Sequence, residues 1–592
     1  MLILGLSPFQ HDPAAAMLDG GVVKAAIEND KLVRSQNRGL PEAAVEFCLG
    51  AANASWQNLD AIAVAKRPFQ AWLRKFLLHA QLSPRAPIAS AYYEIRETSQ
   101  LARALNEFRI LRQKGGTATK VIGFDHHLCH AANAFYQSPF DRALVLTLDE
   151  DGDGVSGMAA VGEGTRLRVV RTWRFPHSLA WAYTQVTQLI GFRPQREEHK
   201  TQWLSLEGEP LFKEVFLEML RRPTSPWPHL NYRFFRRGLD GWPAFSADFY
   251  RRIGFDGEPG AFSDDQRRTL AASIQHASTE IVRQLLEYLG KTEKIEPICL
   301  AGGLFQNSLL VSDLEDALGR DNISVPPAPG NPGSAVGATL LLWHQILGQP
   351  RTEPVHRAYW GPRFNRQQIK DVLDNCKARY SVQNTEARRV EAAVELLHAG
   401  KVVGWHQGAV EFGPRALGNR SVLASPWGEY VRENLNDYIK HREWFRPFAV
   451  SVAEEDCQQY FEASRNCRFM SSLARVRPDS RHLPSIFFLP GDRVRLHVVE
   501  RSSNPLFWEL LKRFGQHAPA PMLLNTSFNL FGEPLVVSPR DAIRSYFCSG
   551  IDALVMDHFV LSKSGMPHLV AASKTAVVAD DTRVDDSSSL GA

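Results

Sequence analysis

Short apolar runs and turn signals open the chain. Leu2–Leu6 is apolar, and Ala14–Glu28 holds two further apolar runs split at Asp19-Gly20, a hairpin signal. This pattern predicts an antiparallel β-meander. Lys120–Phe124 and Arg142–Asp149 read as strands, and the intervening HHLCHAANAFYQ has helical composition. Strand, helix, strand is the signature of an α/β layer. Leu270, Ile274, Ala277, Ile281 and Leu285 recur at helical spacing, which predicts a long amphipathic helix over Ser263–Leu289. PICLAGGLFQN (Pro297–Asn307) reads as a buried strand entering a Gly-Gly turn, and PPAPGNPGSAVGATLLLWHQIL as a loop feeding a helix. Residues 351–363, rich in Pro and Arg, read as a linker. Beyond it Gln367–Cys376 and Val390–Ala399 look helical, and Lys401–Gln407 looks like a strand. The chain then divides into 1–350, the linker 351–363, 364–565, and a disordered tail over 566–592 whose Asp, Ser and Thr concentrate after Lys574. No internal repeat is visible in the sequence.

Composition narrows the class. A chain of 592 residues has room for about two to four domains. Its 44% hydrophobic and 22% charged content is that of a soluble globular protein. A net charge of +4, from 68 basic and 64 acidic residues, gives no bulk drive toward nucleic acid or membrane. The start lacks the pattern of a signal peptide, and no run of about 20 apolar residues occurs. These features point to the cytoplasm. Seven cysteines with no CxxC pair argue against a disulfide framework or a structural zinc site. Oligomeric state is not encoded legibly.

Three stretches carry candidate chemistry. In DHHLCHAANAF, His126 and His130 are four apart, so a helix places both rings on one face. Asp149, which ends the next strand at the DEDGDG turn, is the third candidate metal ligand. His127 and Cys129 fall off that face, and the alternative reading is two packed histidines. EFGPRALGNRS (Glu411–Ser421) sets Arg415 and Arg420 around a tight Gly-containing segment, a setting that suits a phosphate or carbamoyl group. In IKHREWFRPFA, Lys440 and Arg442 share one face if the segment is extended, and Arg446 follows. LLNTSFNLFGEP offers Thr526, Ser527 and Asn529 at a strand end for phosphate or nucleotide. There is no P-loop sequence.

HHLCHAANAFY, GGLFQN, EFGPRALGNRS, IKHREWFRPFA and LNTSFNLFGEP together resemble the carbamoyltransferases that act on nodulation factors, aminoglycosides and cephalosporins. The resemblance runs from Met1 to about Lys563. It implies an α/β protein with an actin-like (ASKHA, Kae1-like) two-lobed N-terminal domain and a YrdC/Sua5-like C-terminal domain. The implied chemistry is formation of carbamoyl-AMP from carbamoyl phosphate and ATP, followed by carbamoyl transfer to a hydroxyl or amine of a small-molecule acceptor. Arg415, Arg420, Lys440, Arg442 and Arg495, with Thr526, Ser527 and Asn529, would then hold ATP and carbamoyl phosphate. His126, His130, Asp149 and Asn331 would hold a divalent metal, iron by analogy, with Mg2+ accompanying ATP. Lys200, Gly302, Gly303, Asn307 and Gly333 would line the carbamoyladenylate in the N-terminal domain. His11, next to Asp12, is the candidate general base; the alternative is a loop residue that orients Asp12. No nucleic-acid or membrane partner is expected.

The chain departs from the pattern at several places. Asn331 stands where the family has a ligating Asp, which removes a charge. His199 and Trp203 replace glycines, while Glu198 and Lys200 survive. The early EEER reads Glu28-Asn29-Asp30-Lys31, and HVDGTAR reads FLPGDRVR. Two other readings use the same residues: a threonylcarbamoyl-type tRNA modifier, which wants a more basic surface, and a non-catalytic actin-like scaffold that has lost transfer.

Overall fold

The structure is a computed structural model that describes residues 1–563, apart from 9–10, 36–38, 83–86, 236–244, 258–259, 352, 429–430 and 531, and without side chains at 78–94 and 438. The expected tail over 566–592 lies outside the described residues.

The N-terminal half holds two five-stranded sheets. The first comprises β1 (Leu2–Ser7), β2 (Ala14–Asp19), β3 (Val22–Glu28), β4 (Ala61–Val64) and β5 (Lys120–Gly123). Its order is β3-β2-β1-β4-β5, with an antiparallel meander on one side and two parallel strands on the other. The meander turns at Gly20-Gly21, both at positive φ (55° and 87°). A side chain at Gly21 would also strike Trp343, 2.7 Å away.

The second sheet comprises β6 (Arg142–Gly152), β7 (Val155–Glu163), β8 (Arg166–Arg174), β9 (Ile298–Ala301) and β10 (Ile323–Ser324). Its order, β10-β9-β6-β7-β8, repeats the first: an antiparallel meander whose first strand pairs in parallel with the next two. A repeat is therefore present, contrary to the reading of the sequence. Topology can repeat without sequence because many apolar patterns satisfy one strand order. This doubled arrangement is the two-lobed actin-like fold.

Two helices lie between the lobes. His126–Tyr136 packs on β6, β7 and β9, and Gly333–Leu340 packs on β1 and β2 and against the first helix. Their contact is close because it is made of small residues. A Cβ on Gly337 would sit 1.9 Å from the Cys129 carbonyl oxygen, so any side chain there would pry the helices apart. Asp125 caps the first helix through the Leu128 amide, a contact worth about 1 kcal/mol. The long predicted helix spans Asp264–Glu293, and Ser263 and Gln266 form a capping box at its start.

The C-terminal half is built on an eight-stranded sheet. Its strands are β11 (Ser381–Val382), β12 (Val403–His406), β13 (Arg420–Ala424), β14 (Ala449–Ala453), β18 (Leu496–Val499), β19 (Met522–Ser527), β20 (Ala553–Met556) and β21 (Phe559–Ser562). The order is β11-β21-β20-β12-β13-β19-β14-β18. A small sheet of β15 (Phe461–Glu462), β16 (Ala474–Val476) and β17 (Arg493–Val494) flanks it.

The described residues of 351–363 lie in no helix or strand but do not hang free. Arg351 donates to the carbonyls of Phe135, Ser138 and Phe140, and the Gly361 amide donates to Val410. Further ties join the halves. Lys31 Nζ donates to the Glu411 and Gly413 carbonyls at 2.9 and 2.8 Å, and Glu28 Oε1 accepts from the Gly413 amide at 2.8 Å. The Glu28–Lys31 stretch that departs from the family pattern thus clamps the EFGPR loop to the first lobe. No helix among the described residues is long and apolar enough to cross a membrane.

Candidate active site

One cavity of about 430 Å3 lies between the halves. Its walls come from His11 and Asp12 after β1, from the β6 turn, from the Glu198–Leu204 helix, from the Gly303–Asn307 turn, and from the Arg415, Arg442–Arg446, Arg495 and Asn525–Ser527 segments.

At one end β6 loses register with β7 between Leu148 and Gly152. Asp149 therefore sits inside a bulge, not at the strand end expected. Bulges re-aim side chains, and this one turns Asp149 toward the histidine helix. Asp149 Oδ2 lies 3.1 Å from His130 Nε2 and 3.4 Å from His126 Nε2. The two Nε2 atoms are 2.9 Å apart. All three side chains are buried, and they are the one such group of potential ligands among the described residues. Two imidazole nitrogens this close beside a carboxylate suit either a proton between them, one ring donating to the other, or a metal ion. Nitrogens bound at about 2.0–2.1 Å to one ion and at right angles to each other fall at about this separation. Two histidines and one carboxylate on one side of an ion form a facial triad, the donor set of non-haem iron sites. Burial opposes ionised Asp149, but hydrogen bonds and charge from His126 and His130 hold its pKa well below the usual carboxylate range. Gly152 makes room, since a Cβ there would lie 2.1 Å from His126 Cδ2.

The sequence expectation for the neighbouring residues holds here. His127 Nδ1 pairs with Thr147 Oγ1 at 2.8 Å, its Nε2 pairs with the Val155 carbonyl at 2.9 Å, and Cys129 is core. Asn331 is buried. Its Nδ2 lies 3.0 Å from His11 Nε2, and its Oδ1 is enclosed with no partner among the described residues. A buried amide oxygen left without a partner suits the neutral donor expected of Asn331. His11 Nδ1 pairs with Asp12 at 3.0 Å. Burial pulls the His11 pKa down, but Asp12, Asp149 and Glu150 outweigh it and carry it up to about 9. Each ring nitrogen of His11 thus lies 3.0 Å from a side chain, of Asp12 or of Asn331.

The other end is cationic. Arg415, Arg442 and Arg495 line it, as expected, and Arg446 joins them. Burial is the main cause of their lowered pKa values, and mutual repulsion adds to it. Arg415 falls to about 10 and Arg442 to about 9, with Arg446 and Arg495 also lowered. Arg442 Nη2 and Arg495 Nε are buried without partners among the described residues. Such a cluster is costly until an anion enters it. Arg442 stacks 4.3 Å over Phe448, and Arg495 lies 5.8 Å over Trp203. Thr526 and Ser527 also line the cavity.

Several expected residues stand elsewhere. Arg420 is fully buried and donates to the carbonyls of Gln407, Gly408, Asn419 and Val537. It holds the EFGPRALGNRS loop and does not reach the cavity. Glu411, missed at the sequence level, is the loop's hub: its Oε1 accepts from the amides of Leu417, Asn419 and Arg420. Lys440 and Arg442 do not alternate on a strand. Lys440 ends a helical segment, Asn434–Lys440, and His441 turns left-handed (φ 43°). Lys440 Nζ sits behind the wall among oxygens of Ser527 and Asn529, so Asn529 is its partner and not a cavity residue. Lys200 bridges Glu197 (2.8 Å) and Glu443 (2.5 Å), tying the halves together outside the cavity lining. Gly302 and Gly333 permit close packing: a Cβ on either would lie 2.1 or 1.9 Å from a carbonyl oxygen, of Leu148 or Ala328. Gly303 and Asn307 do line the cavity.

Comparison with known proteins agrees with this architecture. Residues 2–340 match the carbamoyltransferase N-terminus family and residues 394–563 the carbamoyltransferase C-terminus family. The chain is 32% identical to an uncharacterized protein of Synechocystis sp., covering 95% of this chain and 97% of the relative. It is 31% identical to nodulation protein NolNO of Sinorhizobium fredii, over 94% of this chain and 79% of that one. A 3'-hydroxymethylcephem-O-carbamoyltransferase of Amycolatopsis lactamdurans is 31% identical over 40% of this chain and 43% of its own length. The chain belongs to the carbamoyltransferase family and is a transferase enzyme.

Proposed function

We propose that this carbamoyltransferase activates carbamoyl phosphate with ATP at the arginine end of the cavity and transfers the carbamoyl group at the histidine end. The reading rests above all on one observation: a single cavity between the halves is lined at one end by four arginines and at the other by Asp149, which stands with His126 and His130 in a buried group of potential metal ligands. The guanidiniums of Arg415, Arg442, Arg446 and Arg495 would neutralise the phosphates, and Thr526 and Ser527 would orient them. Water would release inorganic phosphate from carbamoyl phosphate, and the carbamate oxygen would then attack the α-phosphorus of ATP, so that carbamoyl-AMP, pyrophosphate and phosphate would form there. His126, His130 and Asp149, with Asn331 Oδ1 as a neutral fourth donor, would hold a divalent ion, iron by donor type. When bound, that ion supplies Lewis-acid polarisation of a phosphate or carbamoyl oxygen. The acceptor is a small molecule with a hydroxyl or amine. Enclosure between the halves keeps water from a labile adenylate. On this reading residues 1–350 form the transfer half and residues 364–565 the adenylating half.

The test is pyrophosphate release by the full-length protein with carbamoyl phosphate, ATP and Mg2+, in the presence of Fe2+ or Mn2+. Release that requires carbamoyl phosphate supports the proposal. Absence of pyrophosphate under every metal refutes it.

A further inference from the structure

The two lobes repeat one topology but treat their outer strands differently. β3 and β8 are each the third strand of a meander and an edge of a sheet. The edge of β3 is met by the segment between the halves, where the Ala26 amide donates to the Trp360 carbonyl at 3.1 Å. Among the described residues β8 has no such cover. Beyond its ladder with β7, its backbone is met at its two ends: Gln345 Oε1 accepts from the Leu167 amide, and the Arg174 carbonyl accepts from the His177 amide. Between them most positions are exposed, Val169 at 43%. An open edge of this length is a template for another strand.

Charge decides what fits. β8 carries Arg166, Arg168, Arg171 and Arg174 and no acid. Glu293 pairs with Arg168 at 2.7 Å, and the other three have no carboxylate in ion-pair range among the described residues. Two copies of β8 side by side would oppose arginines, and like charges across strands destabilise a pair. An extended acidic segment would bring the missing carboxylates. Thr575–Asp586 (TAVVADDTRVDD), outside the described residues, is such a segment: it holds four aspartates, one arginine and five β-branched residues. It has too little apolar surface to fold alone. Strand addition suits it, since main-chain hydrogen bonds supply affinity there and side chains supply selectivity. Residues 564–574 join it to Lys563 and span about 36 Å when extended, against a radius of gyration of about 25 Å for a chain of this length. We propose that β8 is a docking edge for Thr575–Asp586 of the same chain, which adds to the second sheet as an outer strand. Aspartates then face Arg166, Arg171 and Arg174, and the open edge is closed. The proposal is independent of the carbamoyl chemistry.

Hydrogen–deuterium exchange of the full-length protein tests this without any substrate. Two variants are compared with wild type, each read at the segment whose own sequence is unchanged. In the first, Asp580→Asn, Asp581→Asn, Asp585→Asn and Asp586→Asn are combined, and exchange over 166–174 is expected to rise about tenfold or more. In the second, Arg171→Glu and Arg174→Glu are combined, and exchange over 575–586 is expected to rise to the rate of the free peptide. In wild type, about 0.5 M NaCl should release both segments, because the pairs are exposed and screened by salt. Exchange of 575–586 in wild type at the rate of the free peptide would overturn the proposal. So would protection of β8 that survives loss of the four aspartates, since another element would then be its cover. Protection that grows with protein concentration would assign the edge to a second copy and would overturn the proposal too.

Discussion

The two ends of the cavity are built on opposite electrostatic plans. At the His126–His130–Asp149 end the side chains face partners 2.9–3.4 Å away. At the other end four arginines face one another with one carboxylate in ion-pair range among the described residues, Glu443, 3.9 Å from Arg446. The first end is satisfied in the folded chain. The second holds repulsion that an anion would relieve. Metal ligands tolerate self-pairing because a proton can stand in for the ion, whereas guanidiniums cannot shed their charge.

Arg420 and Arg495 sharpen the contrast, because the same residue type serves opposite ends. Arg420→Met strips four loop carbonyls of their donor, and stability is expected to fall by about 3 kcal/mol or more in urea unfolding. Asp149→Ala should cost about 100-fold in metal affinity, read as iron retained after dialysis. Retention of iron would break the assignment of this end. Pyrophosphate at 100 times its Kd should raise stability by about 2.7 kcal/mol, and Arg442→Ala should abolish most of that gain. Arg495→Met should do the reverse of Arg420→Met. It is expected to raise stability by about 1 kcal/mol while weakening pyrophosphate about tenfold, because an unpaired buried charge is removed. A loss of stability in Arg495→Met would show that the cluster is not strained.

The smallest effect lies behind the arginine end, at His497, two residues beyond Arg495. His497 is buried against Ser451 and Asn525, and burial lowers its pKa to about 3. The unfolded chain takes up this proton near pH 6.5. The stability from the neutral ring is thus present above pH 6.5 and lost progressively as pH falls toward 3. His497→Asn should flatten that acid limb in thermal melts between pH 4 and 7.

Local signals made much of this molecule legible. The Asp-Gly turn, the 3.6-residue period over Ser263–Leu289 and the HxxxH spacing each depend on neighbours within one or two turns, and each appears in the structure. Arg446 was visible in IKHREWFRPFA, and its position beside Arg442 could have placed it in the cluster. Glu411 had a signal too: an acid opening a Gly-rich loop can cap several amides. His199 showed only as a departure from a pattern. Nothing local revealed that its Nε2 would be enclosed without a partner among the described residues.

The sequence by itself determined the α/β class, the family, and which residues could carry charge or bind metal, because these follow from periodicity and residue chemistry. Only the tertiary structure decided which of those residues meet. It turned Asp149 inward through a bulge and spent Arg420 on loop carbonyls. It spent Lys200 on a bridge between halves, and it left Arg442, Arg495 and His199 unpaired around one cavity. These outcomes depend on tertiary contacts between separate segments, some, like Lys200 and Glu443, far apart in the chain, and sequence spacing carries no record of that.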